Sequence, residues 1–224
     1  FESLGLAPAL QRAVADMGLW APTPIQAQAV PAALQGADVW ATAPTGSGKT
    51  LAFALPLVQQ HLLAPRQTNF RRPVRTLVLV PTRELAVQVG DVFTHLGYPL
   101  KLKVAVVYGG VSINPQMMGL RGGADIVVAT PGRLLDLVDH NAVHLKDVQH
   151  LVLDEADRLL DLGFADELQR VLALLPAKRQ TLLFSATFGD DVQALAQGLL
   201  HKPVRVTVEA VEAQAPDIHQ RAIA

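Results

Sequence analysis

The stretch Ala41–Thr50, ATAPTGSGKT, constrains this chain more than any other. Val39, Trp40 and Ala41 lead into it as a short apolar run that reads as a buried strand, and Leu51–Leu55 after it begins a helical apolar pattern. Strand, glycine-rich turn and helix in that order build a cradle for phosphate groups. Gly46 and Gly48 let the backbone curl so that successive N–H groups point at phosphate oxygens. The helix that follows adds the positive end of its dipole. Lys49 can reach the outer phosphates as a point charge, and the Thr50 hydroxyl can ligate a Mg²⁺ ion that accompanies them. An ordinary Gly/Ser turn is the plainer alternative. It does not account for Gly-Lys-Thr standing at the junction of strand and helix. One position departs from G-x-x-x-x-G-K-[ST]: the first glycine is Ala43.

With 224 residues, half of them apolar, the chain can bury a sizeable core as one large domain or two small ones. Its net charge of −1 shows no basic excess, so any nucleic-acid site has to be a local patch. The absence of cysteine excludes disulfides and thiolate metal sites. No apolar run approaches the roughly 20 residues that span a bilayer, and the start does not read as a signal peptide. A cytoplasmic protein without membrane association is the expectation.

Along the chain, Phe1–Gly18 contains an amphipathic helix, with Leu10, Val14 and Met17 at helical spacing, and a second helix starts near Pro24. Apolar runs at Val39–Thr42, Thr76–Val80, Val104–Tyr108, Asp125–Ala129, Leu151–Leu153, Thr181–Phe184 and Val204–Val208 predict seven strands separated by helices. Most of these runs are continuous and not alternating, which predicts strands covered on both faces, hence a mostly parallel sheet in an α/β fold with helices on both sides. Polar, acidic and glycine-rich residues gather after the strand ends, where open α/β sheets bind ligands. The arginine-rich stretch Ala64–Arg75 reads as a solvated loop, with an RNA contact as the minor alternative. From Glu209 onward the periodicity is lost, as in a linker.

Two strand-tip features add chemistry. Asp154-Glu155 follows three apolar residues; the first carboxylate can hold Mg²⁺ and the second can orient and deprotonate an attacking water. The expectation is that this pair faces Gly46–Thr50 across neighbouring strand tips. Gln26 carries a primary amide, one donor side and one acceptor side, which matches adenine's N6 and N7 and mismatches guanine at the same edge. A surface glutamine on a helix is the alternative for that residue.

Taken together, the motifs resemble those of the first RecA-like domain of DEAD-box RNA helicases. GLWAPTPIQ ends at Gln26, with Phe1 upstream. It is followed in the family's order by ATAPTGSGKT, PTREL (Pro81–Leu85), Gly109-Gly110, TPGRL (Thr130–Leu134), DEAD (Asp154–Asp157) and SAT (Ser185–Thr187). The family has alanine where Ala43 stands. Ser112–Met118 and Leu175–Thr187 are similar to the bacterial RhlE-like branch.

The resemblance implies a RecA-like, ATP-binding helicase domain over residues 1–208, its Q motif within 1–26, and the start of a linker to a C-terminal helicase domain at 209–224. It implies that Thr23 and Gln26 recognise adenine with Phe1 stacked on the ring, and that Thr45–Thr50 hold ATP phosphates. Asp154 and Thr50 would hold Mg²⁺, with Lys49 on the phosphates and Glu155 as catalytic base. Pro81, Thr82, Arg83, Gly109, Gly110, Thr130, Pro131, Gly132 and Arg133 would grip the backbone of single-stranded RNA, independent of sequence. Asp157, Ser185 and Thr187 would couple the two sites. Hydrolysis and duplex unwinding would require the second RecA-like domain. Leu19 stands where the family has an aromatic, and Trp40 where it has an aliphatic residue. Another P-loop translocase, or a clamp that binds without catalysis, are the rival readings.

Overall fold

The computed structural model describes residues 1–64, 71–209. All seven strands form: β1 (Val39–Thr42), β2 (Thr76–Leu79), β3 (Val104–Val107), β4 (Ile126–Ala129), β5 (His150–Leu153), β6 (Gln180–Ser185) and β7 (Val204–Thr207). They make one sheet in the order β3-β4-β2-β5-β6-β1-β7, and every pairing is parallel. The strand limits lie within a residue of those read from the sequence, because each apolar run stops where the chain leaves the sheet.

Alternation along each strand decides which core a side chain enters. Val39 and Ala41 of β1, Val78 of β2, Val152 of β5 and Leu182 and Phe184 of β6 point into one core. It is closed by α1 (Pro8–Asp16), α2 (Pro24–Leu34), α3 (Lys49–Leu63) and α4 (Arg83–Gly97). Trp40, Leu77, Leu79, Leu151, Leu153 and Leu183 point into the other. That side is covered by α6 (Pro131–Asp139), α7 (Ala156–Asp161), α8 (Ala165–Ala173) and α9 (Asp190–Leu199). A short helix, α5 (Asn114–Gly119), follows β3 and buries none of its residues. The inner strands are covered on both faces, as their apolar runs require, whereas the edge strands β3 and β7 stay partly exposed.

The opening segment contains the expected amphipathic helix, α1, with Leu10 and Val14 buried. A 3₁₀ turn over Glu2–Leu4 ends at Gly5 in the left-handed region, and only from Pro8 does α1 begin. Phe1 is held there: its carbonyl accepts from the Leu4 N–H at 3.1 Å and its ring packs half-buried against the first core.

The arginines of Ala64–Arg75 that are described serve the fold. Arg72 and Arg75 both pair with Asp125, and Arg72 also bridges to Gly123 through its backbone. These contacts lie at the amino ends of β2 and β4, the edge opposite the motif-bearing strand tips. Arg66 and the linker beyond Glu209 lie outside the described residues.

Candidate functional site

The functional candidates gather along the carboxyl edge of the sheet and divide it in two. Strands β1, β5 and β6 carry the phosphate loop, Asp154-Glu155 and Ser185–Thr187. Strands β2, β3 and β4, side by side at the other half, carry Pro81–Arg83, Gly109-Gly110 and Thr130–Arg133. The expectation of neighbouring tips for the first group needs correction: β6 lies between β1 and β5. The phosphate loop and the carboxylate pair are two strand spacings apart, about 10 Å. That gap is short enough for the Lys49 ammonium to act electrostatically on Asp154.

In the loop, Gly46 and Gly48 take φ of 81° and 92°, which side chains rarely adopt, and Gly48 caps α3. A Cβ at Gly48 would stand 2.5 Å from Gln26 Nε2 and 3.0 Å from Thr23 Oγ1, so glycine is required there for shape as well. The first N–H groups of α3 have no intrahelical partner. Lys49 is buried, its Nζ donating to the Ala43 carbonyl at 3.1 Å. Ser47 Oγ is buried with no hydrogen-bond partner. Thr45 and Gly46 are exposed and Thr50 half-buried. A fixed lysine, an unfilled hydroxyl and unpaired N–H groups around an open loop are the donor set that phosphates require.

Gln26 is not a surface residue; it is 3% exposed. Its Oε1 accepts from the Thr23 N–H at 3.0 Å and its Nε2 donates to the Gly48 carbonyl at 3.1 Å. Each side of the amide retains one further position, so adenine recognition is compatible with this seating. Gln26 thereby ties the turn before α2 to the phosphate loop. Phe1 is set apart from this pair, in a groove with Arg12, Leu19 and Trp20 that Thr23 and Gln26 do not line. Trp20 is 79% exposed there.

Asp154 is 2% exposed, and burial pushes its carboxyl up from 3.8 to about 6, against the opposing pull of Lys49 and with a further push from Glu155. Its Oδ1 accepts from the Glu155 N–H at 3.0 Å. A carboxylate so poorly compensated by protein fits a cation, and one such ligand with a hydroxyl and phosphate oxygens is a usual Mg²⁺ environment. Glu155 is half-buried, in the left-handed region at φ 50°, an uncommon conformation for a non-glycine residue. Its carboxylate lies 3.4 Å from Arg158.

The interposed β6 touches both neighbours. The Ser185 carbonyl accepts from the Ala43 N–H at 3.1 Å, joining it to the phosphate loop. Asp157 Oδ2 accepts from the N–H groups of Ala186 and Thr187 and from the Thr187 hydroxyl, each at 3.1 Å. Ser185 Oγ is turned to the Thr187 N–H at 3.3 Å.

On the other half, Thr82 caps α4, its Oγ1 accepting from the Leu85 N–H at 3.2 Å, and Thr130 precedes Pro131 at the start of α6. Two helix N-termini therefore face this part of the edge. Arg83, Gly109 and Gly110 are exposed and Pro131 is buried, with Pro81 also inside. Arg133 Nη2 donates to the Val111 carbonyl at 2.7 Å, while Nε and Nη1 are buried without a hydrogen-bond partner. Nε also faces the Asp136 carboxylate at 3.7 Å, so the guanidinium is held in place beside the exposed Gly109-Gly110 turn.

Sequence reasoning missed two residues here. Tyr108 lies under the Arg83 guanidinium, 4.9 Å from its centroid, and Gln116 binds the Tyr108 backbone through both ends of its amide. Nothing in the sequence pairs a tyrosine after a strand with an arginine 25 positions earlier. Trp40 finds the space that its bulk demands, against Phe188 at 5.8 Å and under Arg205 at 4.5 Å, yet its indole N–H has no partner.

Comparison with known proteins gives a consistent picture. A family profile described as DEAD/DEAH box helicase matches residues 23–195. The chain is 46% identical over 212 residues to a probable ATP-dependent RNA helicase, ddx27, of Dictyostelium discoideum, covering 94% of this chain and 27% of that protein. It is 40% identical over 220 residues to the DEAD-box ATP-dependent RNA helicase CshA of Bacillus cereus, covering 98% of this chain and 41% of that one. The chain thus spans less than half the length of these relatives. A crystal structure of a hypothetical ATP-dependent RNA helicase from Sulfolobus tokodaii superposes with a TM-score of 0.81 at 34% identity, over 91% of this chain and 57% of the other.

Proposed function

The chain belongs to the DEAD/DEAH box helicase family, and from that premise we propose that it is the ATP-binding domain of an ATP-dependent RNA helicase. It binds ATP with Mg²⁺ on the β1–β6–β5 half of its edge and the backbone of single-stranded RNA on the β2–β4–β3 half. The observation that carries this reading is the sealed Asp154 carboxylate within electrostatic reach of Lys49, beside an open phosphate loop. Thr50 and Asp154 would hold the metal, which when bound supplies neutralisation of phosphate charge. Lys49 and the loop N–H groups bind phosphates, Gln26 reads the adenine edge, and Glu155 accepts a proton from water. Phe1 would stack on the adenine ring from its groove beside Leu19 and Trp20.

For RNA, the exposed Arg83 guanidinium and the exposed Gly109-Gly110 turn beside two helix N-termini support backbone binding without base readout. Asp157, Ser185 and Thr187 couple the halves. A second RecA-like domain completes hydrolysis and unwinding, since an arginine finger supplied by another body is worth about 10³–10⁵ in turnover among nucleotide hydrolases. A place near the RhlE-like branch rests on Ser112–Met118 and Leu175–Thr187 alone; the relatives found include eukaryotic and Bacillus proteins. A cytoplasmic setting completes the proposal; among the described residues no helix is long and apolar enough to cross a membrane.

The test is ATP turnover with and without single-stranded RNA, for this chain and for the chain joined to a second RecA-like domain. The expected result is nucleotide binding with very slow turnover alone and RNA-stimulated turnover in the joined form. RNA-stimulated turnover of equal rate in both would refute the division of labour. Lack of RNA stimulation in the joined form would favour another kind of P-loop translocase.

A further inference from the structure

The loop between β3 and α5 is more constrained than its composition warrants. Gly109 and Gly110 are exposed, Gly110 sits at φ 78°, and no atom lies within 4 Å of where a Cβ would stand at either. Two unpacked glycines have no intrinsic preference for one shape. The loop is nevertheless tied on three sides. Gln116 Oε1 accepts from the Tyr108 N–H at 3.2 Å, and its Nε2 donates to the Tyr108 carbonyl at 3.1 Å. That amide reproduces the pairing a neighbouring strand would give, one residue past the end of β3. The Tyr108 ring lies under Arg83, and Arg133 holds the Val111 carbonyl. Met117 leans on the second core and Leu120 enters it, which seats α5, but Gln116 is polar and half-buried and its amide is taken up by the Tyr108 backbone.

We propose that Tyr108 and Gln116 are positioning residues for RNA binding. They hold the Gly109-Gly110 loop and the Arg83 guanidinium where a nucleic-acid backbone meets them, without touching the RNA themselves. The proposal rests on the RNA reading given above. Its physical content is pre-ordering. Freezing the many rotamers of an arginine side chain is costly, and the tyrosine face removes part of that freedom before the phosphate arrives. Gln116 does the same for the backbone: it fixes the residue from which the two glycines depart.

The test measures anisotropy of a labelled single-stranded oligouridylate on this chain, beside nucleotide affinity and melting temperature. Tyr108→Ala is expected to weaken RNA binding about two- to fivefold, the range of an exposed cation–π contact. Tyr108→Phe should bind as the unmodified chain does, since the ring face and not the hydroxyl meets Arg83. Gln116→Ala should weaken binding about fivefold or more, the cost of ordering one backbone residue on contact. Nucleotide affinity should stay unchanged in all three. Variants that melt lower but bind RNA unchanged would reduce both residues to structural supports and overturn the proposal. So would a Tyr108→Phe variant as weak as Tyr108→Ala. If Gln116→Ala does not fold, the two Tyr108 variants decide alone. Arg133→Ala distinguishes the levels: if it weakens RNA binding while Tyr108→Ala and Gln116→Ala do not, only this proposal fails; if none of the three has an effect, the RNA reading fails with it.

Discussion

Replacing Asp154 by asparagine should make the metal-free, nucleotide-free protein more stable in neutral solution than in acid, relative to the unmodified chain. Burial raises the carboxyl from 3.8 to about 6, roughly two units, each worth about 1.36 kcal/mol. The ionised aspartate therefore costs the fold about 3 kcal/mol at pH 8. The sign follows from proton counting: between 3.8 and 6 the folded state binds the extra proton, so stability falls as pH rises through that window and stays low above it. At pH 5 the folded aspartic acid is mostly neutral and the cost shrinks to roughly half. Asparagine has its own buried amide to satisfy, but that term does not change with pH. The stability of Asp154→Asn relative to aspartate should thus improve by about 1.4 kcal/mol from pH 5 to pH 8, or about 3–5 °C in melting temperature for a chain of this size. Urea or thermal unfolding in EDTA at both pH values measures it. Adding ATP and Mg²⁺ at a hundredfold excess over Kd should stabilise the aspartate form by about 2.7 kcal/mol and the asparagine form far less. A gap that does not move with pH, or equal stabilisation of both forms by Mg²⁺ and ATP, would show that Asp154 is not a desolvated carboxylate reserved for a cation.

Three further outcomes follow from the same geometry. Gln26→Ala should relax the preference for ATP over GTP and lower the melting temperature, because the amide also joins Thr23 to Gly48; an unaltered ATP/GTP affinity ratio would leave Gln26 with a structural role only. Glu155→Gln, in the chain joined to a second RecA-like domain, should retain nucleotide binding and lose turnover; unchanged turnover would remove Glu155 from the role of base. Acid should destabilise the fold through His61 and His150, which burial, with help from Arg75, pushes down from 6.5 to about 3 and about 4. Both take up protons on unfolding, so their stabilisation is present above 6.5 and lost as pH falls below it, by about 4 kcal/mol together at pH 5. Asp154 recovers about 1.4 kcal/mol of that over the same range, leaving a net loss that a melting temperature flat from pH 7 to pH 5 would contradict.

Much of this is legible in the sequence. Seven apolar runs and the residues that end them define the strands, and a loop such as Gly46–Thr50 carries its own context. Strand order was not legible. Nothing local in Leu151–Leu153 or Thr181–Phe184 says which of them lies beside Val39–Thr42, because parallel pairing is settled by long-range packing. The burial of Gln26 was hidden for a related reason: a glutamine in a first helical turn looks solvent-facing until the loop that covers it is placed. Arg133 could be named from its motif, but its hold on the Val111 carbonyl is a property of assembled neighbours. The contact of His61 with Thr76 at 2.8 Å joins residues from two elements, and neither element alone signals that its polar group will be inside.

The two halves of the edge hang from one hydrogen-bonded ladder, with β2 and β5 paired residue for residue at their junction. On the proposed reading, the distance between the nucleotide and the RNA backbone is therefore built in, like the spacing of teeth on a comb. On the same reading such a comb presents the strand in a set posture, and the proposed second domain, closing against it, would supply the mechanical work.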